Sequence, residues 1–118
     1  MKTNNVILRP MGEFKVAQRT KDGMFNATAL LKQWNEKSIS ERKMANFFAS
    51  EKTNEFIQTI MTKEDLHTPK MVYVKSRASR GDSAGTWMHP MLFIDFAMWI
   101  NPSFKYDVLK FVYDQMIK

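Results

Sequence analysis

The sequence predicts one compact α+β domain with an N-terminal β-hairpin. Short apolar or alternating runs bounded by turn residues open the chain and return near residues 71–76 and 85–90. Between and after these runs, apolar residues recur at helical spacing. No linker, repeat or low-complexity tract divides the 118 residues. A domain of that length buries roughly two-thirds of the surface its unfolded chain exposes.

Val6–Leu8 is a short apolar run closed by a Pro10-Met11-Gly12 turn, and Phe14 to Arg19 reads as a strand. Thr20-Lys21-Asp22-Gly23 follows; Asp-Gly is a strong two-residue hairpin signal because both residues tolerate positive φ. Met24-Phe25 starts the return strand. Asn26 is suited to cap a helix whose Ala27, Leu30, Leu31 and Trp34 form one apolar stripe. Ser38 and Glu41 have capping-box spacing for a second helix, with Met44, Phe47 and Phe48 facing inward. Ser50 or Thr53 can cap a third, in which Phe56, Ile57, Ile60 and Met61 face the core and Asn54, Glu55, Gln58, Thr59 and Thr62 face out. Two helices separated by a short polar break have the form of a helix-turn-helix, a weak signal by itself.

Met71–Ser76 reads as a strand, residues 77–84 as a small-residue loop, and residues 85–90 (GTWMHP) as a return strand running into a helix. Pro90 fits the first position of a helix, and Met91–Ile100, apolar almost all round, reads as the central buried helix. Asn101 caps a last helix with Pro102 in its first turn; Phe104, Val108, Phe111, Val112 and Met116 are expected on one side.

Composition narrows the chemistry. There is no cysteine, which excludes disulfides, thiolate metal sites and cysteine nucleophiles. His67 and His89 lack a second histidine at metal spacing, so no metal or cofactor is expected, and His89 beside Pro90 suits a helix start. Asp95 in an apolar helix is a candidate for a raised pKa, but no nucleophile, base and orienting group converge, and an enzyme is not expected. Trp34, Trp87 and Trp99 each sit in an apolar pattern and read as core. No signal peptide is visible, and the longest apolar run is far short of the ~20 residues a spanning helix needs. A cytoplasmic protein without a membrane partner is the expectation.

The formal net charge is +6, concentrated in the first 40 residues and around residues 70–90. A basic loop held between two strands, in a chain of this charge, suggests contact with phosphate.

FNATALLKQWN, NFFASEKTNEFIQTI and GTWMHPMLFIDFAMWINPSF occur in the order and spacing of the KilA-N domain. The chain resembles that family of bacteriophages and large DNA viruses over nearly its whole length; the family is itself similar to the APSES DNA-binding domain of fungal transcription factors. The most specific part is Gly85, Thr86, Trp87 and Pro90, followed by an apolar helix ending in Trp99, Ile100 and Pro102. The resemblance implies a winged helix-turn-helix type of domain that binds double-stranded DNA. Thr53–Met61 corresponds to the recognition helix, and the loop between Ser76 and Gly85 to the wing. It also implies a phage regulatory, antirepressor-like context in which residues 1–118 form an N-terminal domain and a different C-terminal domain follows.

Lys75, Arg77 and Arg80 rank first as DNA contacts, with Ser79 keeping the loop slim. Arginine gains from the negative potential of a narrow minor groove. Asn54 and Gln58, one turn apart, suit bidentate pairing with adenine. Lys52 and Thr53 near a helix start suit phosphate, and Arg42 and Lys43 are secondary backbone candidates. Glu51, Glu55, Glu64 and Asp65 around the same helix oppose phosphate. They leave room for an alternative: a protein-interaction module that sequesters a repressor and has little DNA affinity, with the ten methionines as adaptable contacts. One module reads a short half-site, so homodimerisation through the hairpin Val6–Phe25 or the last helix is the further expectation.

Overall fold

A computed structural model of the chain describes residues 6–76 and 85–117. Five strands form one antiparallel sheet in the order β1-β2-β3-β5-β4. β1 (Val6–Met11) and β2 (Phe14–Arg19) make the N-terminal hairpin, β3 is Phe25–Asn26, and β4 (Tyr73–Ser76) and β5 (Gly85–Met88) make a second. Five helices complete an α+β domain: α1 (Ala27–Lys37), α2 (Met44–Ala49), α3 (Glu51–Lys63), α4 (Pro90–Ile100) and α5 (Pro102–Met116).

The tight turn of the first hairpin is Gly12-Glu13, since Met11 pairs with Phe14 and Gly12 takes φ +63°. β1 therefore runs through Pro10 instead of stopping there. An edge strand tolerates proline, whose missing N–H withdraws one ladder donor. Asp22-Gly23, by contrast, lies in a wider connection closed by Arg19 N–H to Met24 O (2.9 Å) and Gly23 N–H to Arg19 O (2.9 Å). Only Gly23 has positive φ there. The Asp22 carboxylate accepts from Met24 N–H (3.0 Å) and pairs with the Arg19 guanidinium (3.0 Å), which stabilises the longer loop.

Asn26 caps α1, its Oδ1 accepting from Ala29 N–H at 3.0 Å. Ser38 does not start the second helix as the capping-box spacing predicts. It ends α1, donating its N–H to Trp34 O, while its hydroxyl pairs with Ser40. The Asn35 amide grips Arg42 on both sides, accepting from its N–H (2.9 Å) and donating to its carbonyl (3.0 Å). That grip holds residues 38–43 out of a helix, and α2 begins only at Met44.

α4 is the centre of the molecule, as its all-round apolarity predicts. Leu92, Phe93, Phe96, Ala97 and Ile100 are buried, although Met91 and Ile94 reach the surface. α1, α3, α5 and β5 all pack against it. Phe93 stacks on Phe25 at 4.8 Å, and Phe47 meets Phe96 edge-on at 5.0 Å. Trp87 is fully buried under the Arg19 guanidinium, 4.7 Å from its ring, and Trp34 and Trp99 are half-buried against the same core. α5 departs from its expected face. Phe104 and Val108 are half-buried, but Phe111, Val112 and Met116 are exposed, so only its first two turns seat on the body.

Candidate nucleic-acid interface

The two regions singled out by the sequence, the third helix and the strand pair bearing the basic loop, meet at one side chain. Ser50 ends α2 and caps α3, its Oγ accepting from Lys52 N–H at 3.2 Å. A single residue thus separates the two helices. Two residues before it, Phe48 packs its ring against Tyr73 of β4 at 4.7 Å. The Lys75 ammonium, one strand pleat further on, lies 5.2 Å over the same Phe48 ring. The Phe48 carbonyl, in turn, accepts from the Asn54 side chain at 3.0 Å. The root of the loop and the first turn of α3 are therefore neighbours.

The strand pair itself is fixed from the other side. Ser76 pairs with Gly85 at the end of the described ladder. Gly85 takes φ +108°, and a Cβ there would sit 2.7 Å from Thr28 Cβ. Thr28 Oγ1 accepts the Thr86 N–H at 2.8 Å. Only glycine satisfies both the backbone angle and the close approach to α1. Arg77, Ser79 and Arg80 lie outside the described residues.

On α3, Glu55, Gln58, Thr59 and Thr62 face outward, as the periodicity predicts, with Lys52 and Asn54. Glu51, Asn54, Glu55 and Gln58 line a shallow groove. Thr53 is a correction: it is 4% exposed on the inward side, so its hydroxyl cannot meet phosphate. The reason is its place in the stripe, one turn before Ile57 and two before Ile60, both buried. Arg42 is a second correction. It lies before α2, with its guanidinium 5.9 Å over Trp99 and its Nε buried with no hydrogen-bond partner among the described residues. Lys43 is exposed at the position before α2. Asn54 is exposed but occupied, since its amide nitrogen donates both to Phe48 O and to Ser50 O (2.9 Å). Both of its N–H groups are used, so bidentate pairing with adenine would require breaking that turn. Gln58 carries no such bonds.

His89 caps α4: Nδ1 accepts from Met91 N–H (3.0 Å), which places the ring proton on Nε2, 2.7 Å from the Glu64 carboxylate. The sequence predicts the capping histidine but not its partner, since Glu64 is 25 residues away. Glu64 is thereby turned toward His89 at the far end of α3. Among the described residues, no group of three or more His, Asp or Glu side chains is placed to hold a metal ion, and no helix is long and apolar enough to cross a membrane.

In this α+β domain the β4–β5 strand pair stands beside the capped start of α3. The chain belongs to the KilA-N domain family, which matches residues 10–118, a family of DNA-binding domains rather than of enzymes. It is 26% identical over 93 residues to a KilA-N domain-containing protein of Acanthamoeba polyphaga mimivirus, covering 79% of this chain. The chain spans about a quarter (26%) of that relative's length. No solved structure matches it.

Proposed function

We propose that residues 1–118 form a double-stranded DNA-binding domain of a cytoplasmic, phage- or prophage-type regulatory protein of antirepressor-like kind. In this reading α2 and α3 act as a helix-turn-helix and residues 77–84 as a wing, with a further domain following in the full-length protein. The observation that carries it is the Lys75–Phe48–Asn54 contact chain, because it sets the loop's origin beside the α3 N-terminus. Lys75, Arg77 and Arg80, with the small Ser79 between, neutralise phosphate; Lys43 and Lys52 extend the contact along the backbone. Gln58, free and outward, reads a base edge, and Asn54 contributes through Oδ1.

The test is titration into a random-sequence duplex at two salt concentrations. Affinity should fall steeply with salt, and Arg77→Ala with Arg80→Ala should reduce the slope of log K against log salt by about 1 to 2, one phosphate per arginine. An unchanged slope removes the wing from the mechanism. Glu51 and Glu55 beside Gln58 favour a second reading, a repressor-sequestering protein module; absence of duplex binding even at low salt selects it.

A further inference from the structure

α5 has two apolar faces, and the body covers only one. Phe104 and Val108 turn toward the core. Tyr106, Leu109, Tyr113 and Met116 point elsewhere, with exposures of 65%, 52%, 56% and 77%. Their spacing is three, four, three, the a/d pattern of a coiled-coil seam. Val112 and Ile117 flank the seam and are also exposed. A helix needs one apolar stripe to bind its own domain; the second stripe has the form that a facing helix fills.

We infer that this stripe is a homodimer interface, in which α5 of one copy packs antiparallel against α5 of a second. Area is the first argument. An aromatic side chain buries ~150–250 Å², so the exposed fractions of Tyr106 and Tyr113 leave roughly 100–150 Å² each. Adding Leu109, Val112, Met116 and Ile117 brings the face to roughly 600 Å² per copy. The pair then buries roughly 1,200 Å², the lower end of a standard specific interface. Because the same stripe serves both copies, a two-fold axis closes the assembly.

Charge selects the second copy and its direction. Lys105 and Lys110 border the seam on opposite sides. In a parallel pair, Lys105 of one chain faces Lys110 of the other across both borders, two like-charge contacts. Turned end for end, Leu109 of one chain meets Tyr113 of the other near the axis. Lys110 and Asp114, already paired within the helix at 2.8 Å, then lie beside the same pair inverted. That brings only Lys110 against Lys110 near the axis, each held by its own Asp114, in place of the two Lys105–Lys110 contacts of the parallel pair. This inference does not depend on DNA binding, although a two-fold dimer would present two reading heads to a palindromic site.

Sedimentation equilibrium on the 118-residue chain, from micromolar to millimolar concentration, tests it. The mass should rise from 13.9 kDa toward twice that value, and Leu109→Glu with Tyr113→Glu should hold it at the monomer with unchanged circular dichroism. If those two changes disturb folding, Lys110→Glu alone, at a solvent-exposed position, should weaken dimerisation by about tenfold. Mixing Lys110→Glu chains with Asp114→Lys chains should restore it. The chain has no cysteine of its own, so chains carrying Leu109→Cys mixed with chains carrying Tyr113→Cys should form the mixed disulfide in preference to like-with-like. A mass that stays monomeric to millimolar concentration overturns the proposal, as does a dimer indifferent to the α5 substitutions or one that cross-links like-with-like.

Discussion

Asp22 and Asp95 show how position alone sends one residue type in opposite directions. At Asp22, partial burial pushes the pKa up, but hydrogen bonds from Arg19 and Met24 N–H, with the charges of Arg19 and Lys21, outweigh it and hold the carboxyl below its ordinary value. Its stabilisation is present above the unfolded pKa and is lost as pH falls through the folded one. At Asp95, burial raises the pKa, and the Lys105 ammonium only partly opposes it. The native state therefore holds that proton more tightly than the unfolded chain does. Stability from this site is fullest below the unfolded value, about 4, and falls as pH rises through the folded value. Above the folded value, the ionised Asp95 costs stability. Asp95→Asn should raise the urea midpoint at pH 7, and the gain should shrink steadily as unfolding is repeated at lower pH. A gain that persists unchanged into acid would mean that the burial of Asp95 is not its governing feature.

At the scale of elements, legibility followed how local the deciding interaction is. The caps at Asn26, Ser50, His89 and Asn101 are each satisfied within three residues, and the structure has them where the residue types predict. Ser38-Glu41 misled because the Asn35–Arg42 bracket, a contact outside the motif, keeps that segment from starting a helix. Thr53 and Arg42 looked available because sequence marks a helix start but not which side of it is buried. Nor does sequence show that Phe48 joins β4 to α3, because that contact depends on the sheet order. Gly85 is the case where a family-typical glycine acquires a cause, the seat of β5 on the first turn of α1. Gly85→Ala should destabilise the fold by about 1–3 kcal/mol, from the strained positive φ together with the clash at Thr28. Denaturant unfolding measures this directly. Thr28→Ala added to the alanine variant removes only the Oγ1 contact at 2.9 Å; the Cβ contact at 2.7 Å and the backbone strain stay, and the hydroxyl that accepts the Thr86 N–H is lost. The double variant should therefore recover part of the loss at most. Full recovery would show that φ at Gly85 carries no cost.

For the molecule as a whole, the net charge of +6 is both a destabilising self-repulsion and a reservoir for polyanion binding. If the native surface gathers its cations to meet a duplex, binding must stabilise the fold, because an unfolded chain has no such arrangement. Linkage gives the size: ligand at 100 times its dissociation constant adds about 2.7 kcal/mol, which for a domain of this length corresponds to a Tm rise of about 10 °C. Differential scanning fluorimetry with excess random-sequence duplex at low salt should show that rise, and high salt should abolish it. Heparin separates two sources of the effect. It supplies charge without the groove geometry that α3 and the loop root are arranged to meet, so it should give the smaller shift at matched charge concentration. Equal shifts would mean that the protein binds as a diffuse polycation, and the proximity of Lys75, Phe48 and Asn54 would then serve packing alone.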